Sequence, residues 1–247
     1  MQEMYSRMEL LLGREKTEVL AKARIAVFGL GAAGASAAVA LARCGVASLT
    51  LVDDAVLEEP DIGCHVAAFL RTMGESKVQA VRRLIREMDE SILVHTCEFL
   101  YSEETERLLD FRGFDYIVDA MDQAAPKLRL IRKARLEEIP MISCMDVNHK
   151  TDPARLEITD ISRTIICPMA REIRAGLRKY GVHRVKVLYS RERPLIKGSR
   201  HRPADIRQAG HEQGSIFFLP AAAGQLLAAE AVKDLLMAAD KEKKRKH

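Results

Sequence analysis

Residues 25–54 constrain this chain more than any other segment. Ile25, Ala26, Val27 and Phe28 form an apolar, partly β-branched run that reads as a buried strand. The run ends at Gly29, and Gly31 and Gly34 complete a Gly-x-Gly-x-x-Gly turn into an alanine-rich helix. A second apolar strand, 46–52, then delivers Asp53. Glycines alone fit a structural tight turn as well as a ligand site. Strand, glycines, helix and acid in this order point to a bound nucleotide. Gly29 permits the turn, Gly31 lets the backbone approach a phosphate, and Gly34 allows close helix–strand packing. The helix N-terminus offers unpaired N–H groups and a positive dipole end to an anion. Asp53 is placed to accept hydrogen bonds from ribose hydroxyls.

The rest of the chain alternates between helical and strand patterns. A helix broken at Gly13 is expected over 4–22, and helices over 76–88, 103–109 and 126–137. Strands are expected over 92–97, 116–120 and 141–145. The stretch 54–74 holds Pro60 and Gly63 and reads as a loop with a short helix near 66–71. The alternation predicts an α/β fold, a Rossmann-like and mostly parallel sheet with helices on both faces. Beyond Asp152-Pro153 the character changes to a C-terminal α+β extension. Strands at 156–160 and 185–189 flank a basic helix over 168–180. A polar, mobile stretch is expected at 191–214, a strand at 215–219 and an apolar helix at 220–239. The resulting division is a nucleotide-binding core with an N-terminal helix, 1–151. A C-terminal lobe of the same domain, 152–240, and a basic tail, 241–247, follow.

The 247 residues are 48% hydrophobic, enough for a substantial core. No apolar run reaches the roughly 18 residues of a membrane span. No basic segment leads into a long apolar one at the N-terminus, so no secretory leader is expected. The five cysteines are scattered and odd in number, which fits a reducing, cytoplasmic setting and gives no paired-cysteine zinc motif. Each reads as a structural thiol. The net charge of +4 is modest, but Arg and Lys concentrate between 171 and 207 and in the tail. That concentration suits a polyanionic partner, whereas the composition of the tail alone favours a solvated, frayed terminus.

Four charged residues stand out beyond the glycine turn: Arg7, Lys77, Asp119 and Asp122. Ligands of parallel α/β sheets bind beyond the carboxyl ends of the strands. Asp53, Asp119 and Asp122 are all expected at that edge. An aspartate beside phosphates can hold Mg²⁺, and a lysine or arginine can neutralise a triphosphate. A helix N-cap is the plain alternative for Asp122. Lys77 or Arg7, taken singly, reads as a solvated surface residue.

Taken together, these motifs resemble the ThiF/MoeB/ubiquitin-activating superfamily. The strips 152–194 and 214–236 are most similar to its tRNA threonylcarbamoyladenosine dehydratases. The resemblance runs from residues 5–13 through 27–54, 74–77, 116–122 and 140–145 to those strips. It implies an ATP-dependent enzyme in which a substrate carboxylate attacks the α-phosphate of MgATP. The carboxylate is that of threonylcarbamoyladenosine in tRNA, and intramolecular capture of the acyl-adenylate closes a ring with net loss of water. By position, Gly29, Gly31, Ala32 and Gly34 shape the phosphate turn and Asp53 holds the ribose. Lys77 reaches the phosphates and Asp122 the Mg²⁺. Arg7 reaches the phosphates of a partner subunit in a homodimer. A sulfur-transfer or iron–sulfur protein is a further partner the resemblance implies.

This chain departs from the family pattern at the phosphate site. Ala32 replaces a glycine and Ala35 a serine, and Ala55 stands where a second acid is usual. The family's Asn-x-Asn-Arg-Gln aligns with Asp61-Ile62-Gly63-Cys64-His65, so the asparagines and the arginine are absent. Such an arginine can be worth about three to five orders of magnitude in phosphoryl-transfer rate. Arg71, in the same loop, is the candidate substitute. Cys64 beside His65 also admits a nucleophile reading, but adjacent side chains rarely face each other. His149, Lys150 and His183 read as surface polar residues. Three other functions compete: a binding protein that kept the fold without the chemistry, an adenylyltransferase for another carboxylate, and an NAD-dependent oxidoreductase. The last leaves Arg7, Lys77 and Asp122 without a shared purpose.

Overall fold

The computed structural model describes residues 3–195 and 214–246. Seven strands form one sheet: β1 (Arg24–Phe28), β2 (Ser48–Val52), β3 (Leu93–Cys97), β4 (Tyr116–Asp119), β5 (Met141–Cys144), β6 (Leu156–Asp160) and β7 (Lys186–Ser190). Their spatial order is β3-β2-β1-β4-β5-β7-β6. Every pair is parallel except β6 with β7. β2 and β4 are buried along their whole length, which is why they read as continuous apolar runs. The sheet therefore confirms the expected α/β architecture. β6 and β7 join it directly, so the boundary drawn at 151 crosses a single sheet.

The helices are α1 (Ser6–Leu12), α2 (Arg14–Leu20), α3 (Ala32–Arg43), α4 (Lys77–Arg86), α5 (Glu103–Glu106), α6 (Ala124–Leu136), α7 (Pro168–Arg178) and α8 (Phe218–Lys246). α8 lies against the alanine-rich α3. Their close approach depends on Gly224, where a Cβ would come within 2.5 Å of the Ala33 carbonyl. Polar bonds also tie α8 to the sheet. The Tyr116 hydroxyl donates to Asp234 at 2.7 Å, and Lys186 reaches Glu230 at 2.7 Å and Asp234 at 2.6 Å.

Three local expectations need correction. The short helix expected near 66–71 is reduced to a 3₁₀ turn over Leu70–Thr72, with another over Glu59–Gly63 and no helix at 66–69. The Thr72 hydroxyl accepts the Phe69 N–H at 2.8 Å and donates to the Ala67 carbonyl at 2.9 Å. Such local bonds compete with helical ones. Residues 215–219 are not a strand, because α8 already begins at Phe218 and carries Pro220 in its first turn, where the missing N–H costs nothing. The basic tail is solvated but helical: α8 continues through Lys246, and Lys243 pairs with Glu15 at 2.8 Å. Most of the stretch expected to be mobile, 196–213, lies outside the described residues.

Candidate active site

From β1 the chain winds outward through β2 to β3, then returns to place β4 on the other side of β1. That reversal opens a crevice beyond the carboxyl ends of β1 and β4. A cleft of about 620 Å³ lies there, bordered by Gly29, Gly31, Ala32, Asp53, Lys77 and Asp122.

The glycine turn is shaped by close backbone approach. Gly29 sits at φ +84°, and a Cβ on it would lie 2.5 Å from the Met121 nitrogen. A Cβ on Gly34 would fall 1.8 Å from the Gly29 carbonyl oxygen. Gly31 differs. It is the N-cap of α3, makes no side-chain cap, and has nothing within 4 Å of its Cβ position. The N-terminus of α3 thus faces open space in the cleft wall.

The peptide at Leu30 is held from both sides. Asp53 accepts the Leu30 N–H at 2.5 Å with one oxygen and the Ala55 N–H at 2.8 Å with the other. Burial raises the Asp53 carboxyl pKa, while those two N–H groups and Lys77 pull it back. On the other side, His65 Nε2 lies 2.7 Å from the Leu30 carbonyl oxygen. Its Nδ1 accepts the Ala67 N–H at 3.1 Å, which assigns the proton to Nε2 and makes the ring neutral. Burial lowers the His65 pKa and nearby Lys77 adds to this, whereas the Leu30 bond and Asp61 oppose it. The bond to Leu30 directs the imidazole away from any pairing with Cys64. The Cys64 thiol lines the cleft, and burial followed by Asp61 pushes its pKa upward, against thiolate formation.

Lys77 opens α4 and meets Asp61 at 3.4 Å, both side chains largely shielded and both on the cleft wall. Asp122 is exposed in the same cleft, and its carboxylate has no side-chain or backbone donor among the described residues. Two basic residues lie outside the lining. Arg7 is exposed on α1, and Arg71 is exposed with its guanidinium 4.7 Å over the Phe69 ring. Asp119 does not open onto the cleft either. It is fully buried and accepts from Lys127 at 3.1 Å, the Ser143 hydroxyl at 2.6 Å and the Met121 N–H at 3.1 Å. A carboxylate so enclosed organises the β4–α6 connection and is not free to hold a ligand.

Lys150 also differs from its surface reading: it is buried and donates to the Asp146 carbonyl at 2.7 Å. His149 has a buried Nδ1 with no partner among the described residues, while His183 is exposed. Sequence reasoning overlooked Asp61 as a partner of Lys77, and Cys144, Met145, Asp146 and Asn148 as cleft residues. The last four lie at or just beyond the carboxyl end of β5 and were accessible through the same carboxyl-edge rule that placed Asp122. Among the described residues, no three His, Cys, Asp or Glu side chains group as a metal cluster.

Residues 5–247 match the ThiF family. A Bacillus subtilis tRNA threonylcarbamoyladenosine dehydratase is 36% identical over 94% of this chain and 94% of its own length. The Escherichia coli enzyme of the same name is 28% identical over 70% of this chain and 65% of its own length. A crystal structure of the E. coli tRNA N6-threonylcarbamoyladenosine dehydratase in complex with ATP superposes with a TM-score of 0.87. It covers 97% of this chain and 96% of that one at 23% identity, a likeness of fold. The match along nearly the whole chain, joined to a glycine-turn cleft at the switch point of the sheet, makes this chain a member of the ThiF family.

Proposed function

We propose that this chain is an ATP-dependent dehydratase that adenylates the carboxylate of threonylcarbamoyladenosine in tRNA and drives its cyclisation. The observation that carries the reading is the end-to-end similarity to an enzyme of that name. The cleft supports it. The open Gly31 position leaves room for a phosphate against the α3 N-terminus, where N–H groups and the helix dipole favour an anion. Lys77 supplies the positive charge for the phosphates, and Asp53 supplies carboxylate oxygens at the ribose position. Asp122, exposed and without a donor, suits a divalent cation. Mg²⁺ bound there would neutralise phosphate charge. Adenylation turns a carboxylate oxygen into part of an AMP leaving group. Tethering of the internal nucleophile then supplies a high effective concentration for ring closure. The oxygen lost from the substrate leaves with AMP, which accounts for the net loss of one water.

Arg7 serves a neighbouring subunit in this reading, because it is exposed and outside its own cleft. The reading therefore includes a homodimer acting in the cytoplasm. No helix among the described residues is long and apolar enough to cross a membrane.

One observation favours a second reading. Among the described residues the cleft lining contains no arginine, and Arg71 stacks on Phe69 outside it. A protein that binds ATP without turnover would look this way. Nucleoside mass spectrometry separates the two. Incubation of threonylcarbamoyladenosine-containing tRNA with this protein and MgATP should yield a nucleoside lighter by one water. No such species, with a known dehydratase active in parallel, would overturn the enzymatic reading.

A further inference from the structure

The cleft continues onto a basic surface. Met169, in the first turn of α7, borders the cleft, and α7 runs from there across the β5–β7 side of the sheet. One stripe of α7 is buried through Ala170, Ile173 and Leu177. The helix also presents Arg171, Arg178 and, just past its end, Lys179, all exposed. Gly176 brings α7 against α6, since a Cβ there would lie 2.6 Å from Leu128. At the far end of this helix pair the Arg132 guanidinium sits 3.5 Å over the Tyr180 ring, and both residues are exposed.

These cations differ from their neighbours in lacking acids. Lys186 is held by Glu230 and Asp234, and Arg129 by Glu103 and Glu106. Among the described residues, Arg132, Arg171, Arg178 and Lys179 pair with no carboxylate. The exposed acids nearby are Glu172 on α7 and Glu138 just past the end of α6. Unneutralised cations beside an aromatic ring form the combination that binds a polynucleotide, through phosphate charge and stacking.

We infer that the α7 face with the Arg132–Tyr180 pair is the docking surface for the RNA whose nucleoside enters the cleft. The inference rests on the dehydratase reading for the identity of that RNA. Arg171, two residues beyond the cleft-lining Met169, meets phosphates near the inserted nucleoside. Arg178, Lys179 and the stacked pair hold the strand farther out.

The test is tRNA binding to the full chain across a range of salt concentrations, without nucleotide. Replacing Arg171→Glu and Arg178→Glu together should weaken binding at least tenfold. The slope of log affinity against log salt should fall by about one for each phosphate that the variant no longer neutralises. MgATP should stabilise the variant as it does the parent, which confirms folding. Arg178→Ala with Lys179→Ala gives a gentler form of the same test. Arg86→Glu on α4, at the β3 end of the sheet, should leave binding unchanged. Equal affinity and slope in the α7 variants and the parent would overturn the inference, as would an equal loss from Arg86→Glu. A parent that binds tRNA through α7 yet leaves threonylcarbamoyladenosine intact would count against the dehydratase reading and leave this surface standing. Unimpaired dehydration by the α7 variants, with unchanged KM for tRNA, would do the reverse.

Discussion

His65 donates its Nε2–H to the Leu30 carbonyl at 2.7 Å, so a residue 35 positions downstream fastens the middle of the glycine turn. The bond requires a neutral ring, because Nδ1 must accept from Ala67. Burial keeps the folded-state pKa below the ordinary value of about 6.5. The unfolded chain therefore takes up a proton first as the pH falls. This contribution to stability is complete above about pH 6.5 and declines below it, by at most about 1.4 kcal/mol per pH unit, until the folded pKa is passed. His65→Gln removes the titration. Denaturant unfolding at pH 7.5 and 5.5 should show a smaller acid loss for the variant, and equal losses in both proteins would refute the assignment.

Gly31 and Gly34 sit three residues apart and should respond in opposite ways. Alanine at Gly34 would drive its Cβ to 1.8 Å from the Gly29 oxygen, so the turn must open or α3 must shift. Gly34→Ala should lose several kcal/mol of stability, about the scale of severe core overpacking. Alanine at Gly31 meets nothing, and its φ of −61° suits any residue. Gly31→Ala should keep its unfolding free energy within about 1 kcal/mol of the parent. Its methyl group would nonetheless occupy the cleft wall against α3. Thermal unfolding with and without MgATP checks this: the Gly31 variant should retain Tm but lose the nucleotide-dependent rise. A full rise would show that phosphate does not approach this position.

The contrast between these residues shows what the sequence made legible. Gly29, Gly31, Gly34 and Asp53 belong to one strand–turn–helix–strand unit, where spacing alone dictates geometry. The parallel sheet followed from the same apolar runs that bury β1, β2 and β4. The His65–Leu30 and Lys77–Asp61 contacts were hidden because they depend on the path of residues 54–74, which has no periodicity. Strand position put Asp119 and Asp122 at the same sheet edge, and the family resemblance singled out Asp122. The arrival of Lys127 and Ser143 is what closes Asp119 and leaves Asp122 open, and neither donor could be placed there from spacing. Arg71 was placed in the right loop, but its exposed stacking on Phe69 could not be read from spacing.

The Lys127–Asp119 pair is fully buried, with both side chains at 0% exposure. Removing one member leaves the other charged or forces it to change protonation, and such losses typically cost about 3–5 kcal/mol. Lys127→Met should therefore be strongly destabilising, moderated by the Ser143 and Met121 donors that Asp119 retains. Adding Asp119→Asn to Lys127→Met should recover part of the loss, because no unpaired charge remains. Urea unfolding of the two variants decides the matter. A loss below about 1 kcal/mol in Lys127→Met, or no recovery in the double variant, would show that the pair is not held as described.

Asp61 places a carboxylate 3.4 Å from Lys77, on the wall of the cleft where phosphates are proposed to bind. In the ThiF/MoeB pattern an asparagine occupies this position. The carboxylate therefore both engages the lysine and repels a polyanion. Asp61→Asn keeps an oxygen that can accept the Glu58 N–H, now bonded at 3.0 Å, so the local turn should survive. The change releases Lys77 toward phosphate and removes one negative charge from the cleft. Affinity for MgATP should rise about three- to tenfold, equivalent to about 0.7–1.4 kcal/mol. Because the gain is electrostatic in a cleft open to solvent, it should shrink as salt is raised from 0.05 to 0.5 M, both approximate values. Titration calorimetry at the two salt concentrations measures both effects. Unchanged or weaker binding at low salt would show that Asp61 supports the nucleotide site and that its pairing with Lys77 is part of the binding geometry.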